Sequence, residues 1–245
     1  LDDSAVIEGK KKKIYSVQDK SMECQGYSLS FRIGNGKFSD TFYVNMDMDF
    51  DQMLNCPFIG IIGHEFLRNN NIVLDYETET LHDSTGSKEV NPEDYEFLFP
   101  MSFGLNQYNI PVVGLVYGDK KYLMVADSGA NDTVITKHLM DEAGICVKHL
   151  GNDGTLTCFS TDTLETSLYD VTLSIFSLGG SSECPKLYTK YDKAQVISNC
   201  QHIMEGLKDA DGNDLMPVSG LLSSEFMHRN KWVLDFGTCV MYQRK

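Results

Sequence analysis

Apolar and polar residues alternate along most of this chain in short runs. The segments "YSLSFRI" (27–33), "TFYV" (41–44), "GLVYGDKKYLMVAD" (114–127) and "YDVTLSIF" (169–176) each place every second side chain on one face, with Gly, Asn and Asp between them. A period of two with a turn every ~8 to 12 residues predicts antiparallel strands in a barrel or sandwich. Helical periodicity is confined to short turns after Glu65 and Glu225 and to "TKHLMDEAG" (136–144), where Thr136 can cap the first turn. Residues 82–109 have no clear period and read as a connection with room for one edge strand. The chain is therefore expected to be mainly β.

The pattern also repeats. Residues 60–76, "GIIGHEFLRNNNIVLDY", match residues 220–236, "GLLSSEFMHRNKWVLDF", at a shift of 160. Each copy reads as an apolar strand ending in Gly, a helical turn around Glu-Phe, and the strand "IVLDY" or "WVLDF". A second pair, "IYSVQDKSMECQGYSLSFRIG" (14–34) and "LTCFSTDTLETSLYDVTLSIF" (156–176), matches at a shift of 142. The difference implies an insertion of about 18 residues in the second copy, and the polar tract 190–217 is expected to hold it as a surface loop.

Composition narrows the function classes. The 245 residues suffice for one large or two small cores. A net charge of −14 repels a phosphate backbone, so no nucleic-acid partner is expected. The one basic tract, "GKKKKI" (9–14), reads as a solvated surface turn. No apolar run approaches the ~20 residues of a membrane helix, and the start Leu1-Asp2-Asp3 has no signal-peptide pattern. Seven cysteines without a Cys-x-x-Cys pair suggest neither a disulfide framework nor a zinc site. Reduced thiols lean toward a cytoplasmic location, with a secreted or periplasmic one open if a leader was removed.

The candidate chemistry lies in "VADSGANDTVI" (125–135), where Asp127-Ser128-Gly129 follows an apolar strand. The combination of this apolar hairpin and Asp-Ser-Gly-Ala, a following helix, a β-hairpin, and the duplicated Gly-apolar-apolar-x-x-Glu-Phe segment resembles aspartic peptidases. It is most like their retroviral-type and retropepsin-like bacterial branch, and the likeness covers nearly the whole chain. The resemblance implies an acid-protease fold of two duplicated β-barrel lobes, 1–105 and 106–245, with a cleft between them. It implies peptide-bond hydrolysis of an extended peptide or protein by two carboxylates sharing a proton, with water as nucleophile and no metal or organic cofactor. Asp127 is then catalytic. Gly129 lets the backbone pass close to the carboxylate, and Ser128 reaches across to a partner loop. Ala130, without a hydroxyl to stabilise the charged form, leaves the pair's higher apparent pKa closer to neutral. Gly60, Gly220, Leu221 and Leu222 form the core under the Asp loop. Hairpins at 16–23 and 158–165 become flaps, with Val17 and Phe159 toward an apolar substrate side chain.

Other residues have plainer readings. Asp75 and Asp235 recur at a repeated strand end and are expected to be structural. His64, His138 and His228 lack metal-ligand spacing, and the sequon at Asn131 is taken as accidental. The second carboxylate is missing: a shift of 142 carries Asp127 to about fifteen residues ahead of Leu1, and Asp3-Ser4-Ala5 lacks both the glycine and the apolar strand. Three readings stay open: a fragment whose missing N-terminal segment supplies the first Asp, a second copy of the chain supplying it, or a non-catalytic module that binds extended peptides in the same cleft.

Overall fold

The computed structural model describes residues 6–15, 21–44, 61–84, 91–101, 110–157, 163–178, 186–197 and 218–245. The chain divides into two compact units, Leu1–Ile62 with Cys158–Asp162, and Gly63–Thr157 with Thr163–Lys245. The expected lobe boundary near residue 105 lies outside the described residues.

In the first unit, β1 (Val6–Tyr15), β2 (Ser21–Ile33) and β3 (Gly36–Val44) form an antiparallel meander. The turn between β2 and β3 uses Gly34 at φ 55°, a conformation that favours glycine. Alternation puts Phe31 against Phe38 and Phe42, with ring centroids 5.8 and 5.1 Å apart. The lysine tract expected to be a turn lies instead in β1, where Lys10, Lys11 and Lys12 are exposed. Lys11 and Lys12 pair with Gln25 and Cys24 of β2, while Lys11 meets Glu23 at 2.7 Å and Lys12 lies over the Tyr43 ring.

The second unit begins with helix α1 (His64–Asn69), then β4 (Ile72–Asp75), β5 (Thr80–Asp83), a 3-10 turn (Pro92–Asp94) and β6 (Tyr95–Pro100). The hairpin β7 (Val112–Tyr117) and β8 (Lys120–Asp127) leads to β9 (Thr133–Thr136) and helix α2 (Lys137–Ala143). Thr136 caps α2 by accepting the Leu139 amide, as the sequence predicts, and Gly144 ends it in the left-handed region. Next come β10 (Cys146–Thr157), β11 (Thr163–Ser177), β12 (Lys186–Ile197) and β13 (Val218–Ser223), then α3 (Ser224–Arg229), β14 (Val233–Asp235) and β15 (Val240–Arg244).

Strand order β10-β11-β12-β9-β13-β8-β7, with Ile175 of β11 also paired to Leu115 of β7, closes six strands into a barrel. Leu115, Met124, Ile135, Leu173, Ile175 and Leu222 fill it, all fully buried. A second sheet, β5-β4-β14-β15-β6, has β6 as the edge strand anticipated within 82–109. Trp232 anchors this side, fully buried, stacked on Phe97 at 4.3 Å and edge-on to Phe226.

The sequence repeat is also a repeat of register. In the first meander Tyr15 pairs Ser21 and Ile14 pairs Met22; in the second, Thr157 pairs Thr163 and Leu156 pairs Leu164, each 142 residues on. Across the next pair Phe31 faces Phe38 and Leu173 faces Lys190, so the offset grows to 152 at the β11–β12 connection. Part of the inserted length therefore lies there, ahead of the tract expected to hold it. Residues 190–197 of that tract are not loop but half of β12, paired to β11 and β9. The charged Lys190, Asp192 and Lys193 hide an alternation in which Tyr188, Ala194 and Val196 turn inward.

The offset of 160 holds for the rest. Leu74 of β4 pairs antiparallel with its own repeat, Leu234 of β14, so a local two-fold axis passes between them. Asp75 Oδ1 accepts the amides of Glu77 and Thr78 at 2.9 and 3.0 Å, and Asp235 Oδ1 accepts those of Gly237 and Thr238 at the same distances. Both aspartates thus shape the turn that follows their strand. No helix among the described residues is long and apolar enough to cross a membrane.

Candidate active site

Strand β8 buries Tyr122, Met124, Val125 and Ala126 and ends at the half-buried Asp127. There the chain turns. The Gly129 amide donates to Asp127 Oδ1 at 2.8 Å, and the Ala130 amide donates to the Asp127 carbonyl at 3.3 Å. A Cβ on residue 129 would stand 3.3 Å from that carboxylate oxygen, a close contact that glycine avoids. Ser128 is exposed and makes no side-chain hydrogen bond to the described residues. The half-buried Ala130 is held through its carbonyl, which accepts both the amide and the hydroxyl of Ser224 at 2.8 Å.

Strand β13 runs directly under this turn. It pairs parallel with β8, Leu221 opposite Val125, Leu222 opposite Ala126 and Ser223 opposite Asp127. On its other side it pairs antiparallel with β9, Gly220 opposite Ile135 and Leu221 opposite Val134. A Cβ at position 220 would lie 2.1 Å from the Val134 carbonyl oxygen and 3.1 Å from the Met124 methyl carbon. Only glycine lets β13 thread the gap, which explains this glycine in physical terms. The structure thus brings together Asp127, Ser128, Gly129, Ala130, Gly220, Leu221 and Leu222. Gly60, Val17, Phe159 and Asp3 lie outside the described residues, as do most of the two expected flap hairpins.

Beneath the turn lies a polar network that the sequence did not announce. Thr133, buried, donates its hydroxyl proton to Asp192 Oδ2 at 2.6 Å and accepts from the Ser223 hydroxyl at 3.1 Å. The Ser223 oxygen in turn accepts the Phe226 amide at 3.0 Å and caps α3. Asp192 Oδ1 accepts the Lys193 amide at 2.7 Å and bonds the Arg229 guanidinium, although its side chain is only 1% exposed. The buried Thr133 also removes the sequon's threonine from the surface.

Tyr76 was missed as well. It is the one chemistry-bearing difference between "VLDY" and "VLDF". Its amide donates to the Trp232 carbonyl at 3.0 Å, and its ring stands edge-on to His228. Burial, and then the negative charge of Asp127, push its phenol up to about 12. The phenol is thus a neutral hydrogen-bond donor at ordinary pH. His228 pairs with Glu79 at 2.8 Å, and exposed His138 lies 3.6 Å from Glu142.

Among the described residues no second carboxylate is bonded to Asp127, and no group of three or more His, Cys, Asp or Glu could hold a metal ion. A recess of about 820 Å³ between α2 and the β10–β11 hairpin is lined by Lys137, Met140, Glu165, Thr166, Tyr169 and Val196 among others, without Asp127. Its mixed lining assigns no chemistry. No protein-family model matches the chain, and no curated protein matches it.

Proposed function

We propose that this chain is a retropepsin-like aspartic endopeptidase of the acid-protease fold, with Asp127 as one of the two carboxylates. The observation that carries the reading is the Asp-Ser-Gly-Ala turn seated on β13, with Gly220 threading between β8 and β9. That arrangement fixes one carboxylate oxygen through the Gly129 amide and leaves the other without a protein donor among the described residues. A carboxylate held in this way can bind a water and take its proton. A second carboxylate, sharing one proton with the first, is needed to protonate the substrate carbonyl oxygen.

In this reading the partner carboxylate lies outside the described residues or comes from a second copy of the chain. The substrate is an extended peptide lying against the Asp loop. A statine-type peptide, which mimics the tetrahedral intermediate, is expected to bind and to block cleavage, while a metal chelator has no effect. Inhibition by the chelator with none by the statine peptide contradicts the proposal.

The lack of a second described carboxylate at Asp127 favours one other reading, a non-catalytic module that binds extended peptides by strand addition. Equal peptide binding by the wild type and Asp127→Asn, with no cleavage by either, is its signature.

A further inference from the structure

We propose that Asp192 and Arg229 are positioning residues for the Asp127 loop, acting through Thr133. The inference rests on the reading of Asp127 as a catalytic carboxylate only for what the loop is positioned to do. Its upstream end is fixed by the β8–β13 ladder. Its downstream end enters β9 at Thr133, whose hydroxyl has a single proton, and that proton goes to Asp192. Asp192 is a buried carboxylate, and burying such a charge is costly unless donors surround it. Here the Thr133 hydroxyl, the Lys193 amide and the Arg229 guanidinium supply them.

The first copy offers an internal comparison. At the offset of 152, Asp192 corresponds to Asp40, which likewise accepts the amide of its next residue, Thr41, at 2.7 Å. Asp40, however, is only half-buried. At the offset of 160, Arg229 corresponds to Asn69 and the capping Ser223 to Gly63, which provides no side-chain cap. The aspartate is therefore common to both copies. The capping serine and an arginine at this helix position belong to the copy that carries Asp127-Ser128-Gly129, whereas the first copy has its arginine one residue earlier, at Arg68.

The test is amide hydrogen exchange on the 245-residue protein and on Arg229→Met, Arg229→Lys and Asp192→Asn. In Arg229→Met and Asp192→Asn the amides of Ala130 and Ser224, which close the loop, are expected to exchange faster by about tenfold or more, because a charge-assisted bond is lost beneath them. Val233 and Leu234 in the second sheet should keep their rates, and Arg229→Lys should restore most of the loop's protection. Unchanged loop amides overturn the proposal, and so does a parallel loss at Val233 and Leu234, which marks general destabilisation. Should Asp192→Asn fail to fold, the Met and Lys variants at 229 decide alone. Exchange needs no catalysis, so this outcome is independent of whether Asp127→Asn affects cleavage.

Discussion

Three residues shape the turn at 127–130. Asp127 supplies the carboxylate, Gly129 supplies the amide that holds it, and Gly220 supplies the space beneath. Gly220→Ala would push a methyl into the Val134 carbonyl, so β13 must separate from β9. The expected cost is about 3 kcal/mol, at the upper end for overpacking, read as a lower urea midpoint; a midpoint within about 0.5 kcal/mol of wild type would contradict the threading geometry. Asp75 carries a pH signature. Burial pushes its carboxyl up, but the Thr78 and Glu77 amides and Arg244 outweigh this and hold it below the ordinary value. Because the folded value lies below the unfolded one, Asp75 contributes stability that is present above about pH 4 and lost as pH falls through the folded value. Denaturation of Asp75→Asn should accordingly lose part of the wild-type acid dependence in that window; identical acid limbs would count against the assignment.

Between elements, the repeat accounts for the architecture. Two meanders share their hairpin register, and two helix–strand segments meet across Leu74 and Leu234. Much of this was legible in the sequence, because alternation reports which strand face is buried and because offsets of 142 and 160 can be counted from letters. The helix at 137–143 was legible from its period and its Thr136 cap. The strand at 190–197 was not, since Lys190, Asp192 and Lys193 read as loop until Asp192 is seen paired inside. Nor was the network under the Asp loop. Thr133 and Asp192 are 59 residues apart, Asp192 and Arg229 are 37 apart, and a single sequence has no period that links them. The Asp-Ser-Gly-Ala turn was legible, and the resemblance also implied Gly220, Leu221 and Leu222 beneath it, whereas the pairing of β13 with both β8 and β9 was not.

At the scale of the whole molecule, the chain is mainly β with one closed six-stranded barrel among the described residues, and it carries a charge of −14. The charge disfavours polyanionic partners. A lone carboxylate cannot serve as acid and base in one step, so cleavage requires a second carboxylate beside Asp127. The direct measurement is cleavage of a peptide library by the complete gene product, wild type beside Asp127→Asn, across pH and with the association state recorded by sedimentation. The account predicts a bell-shaped pH profile for the wild type and a loss of about a thousandfold in the Asn variant, with an unchanged circular dichroism spectrum. Cleavage by Asp127→Asn at the wild-type rate would contradict it.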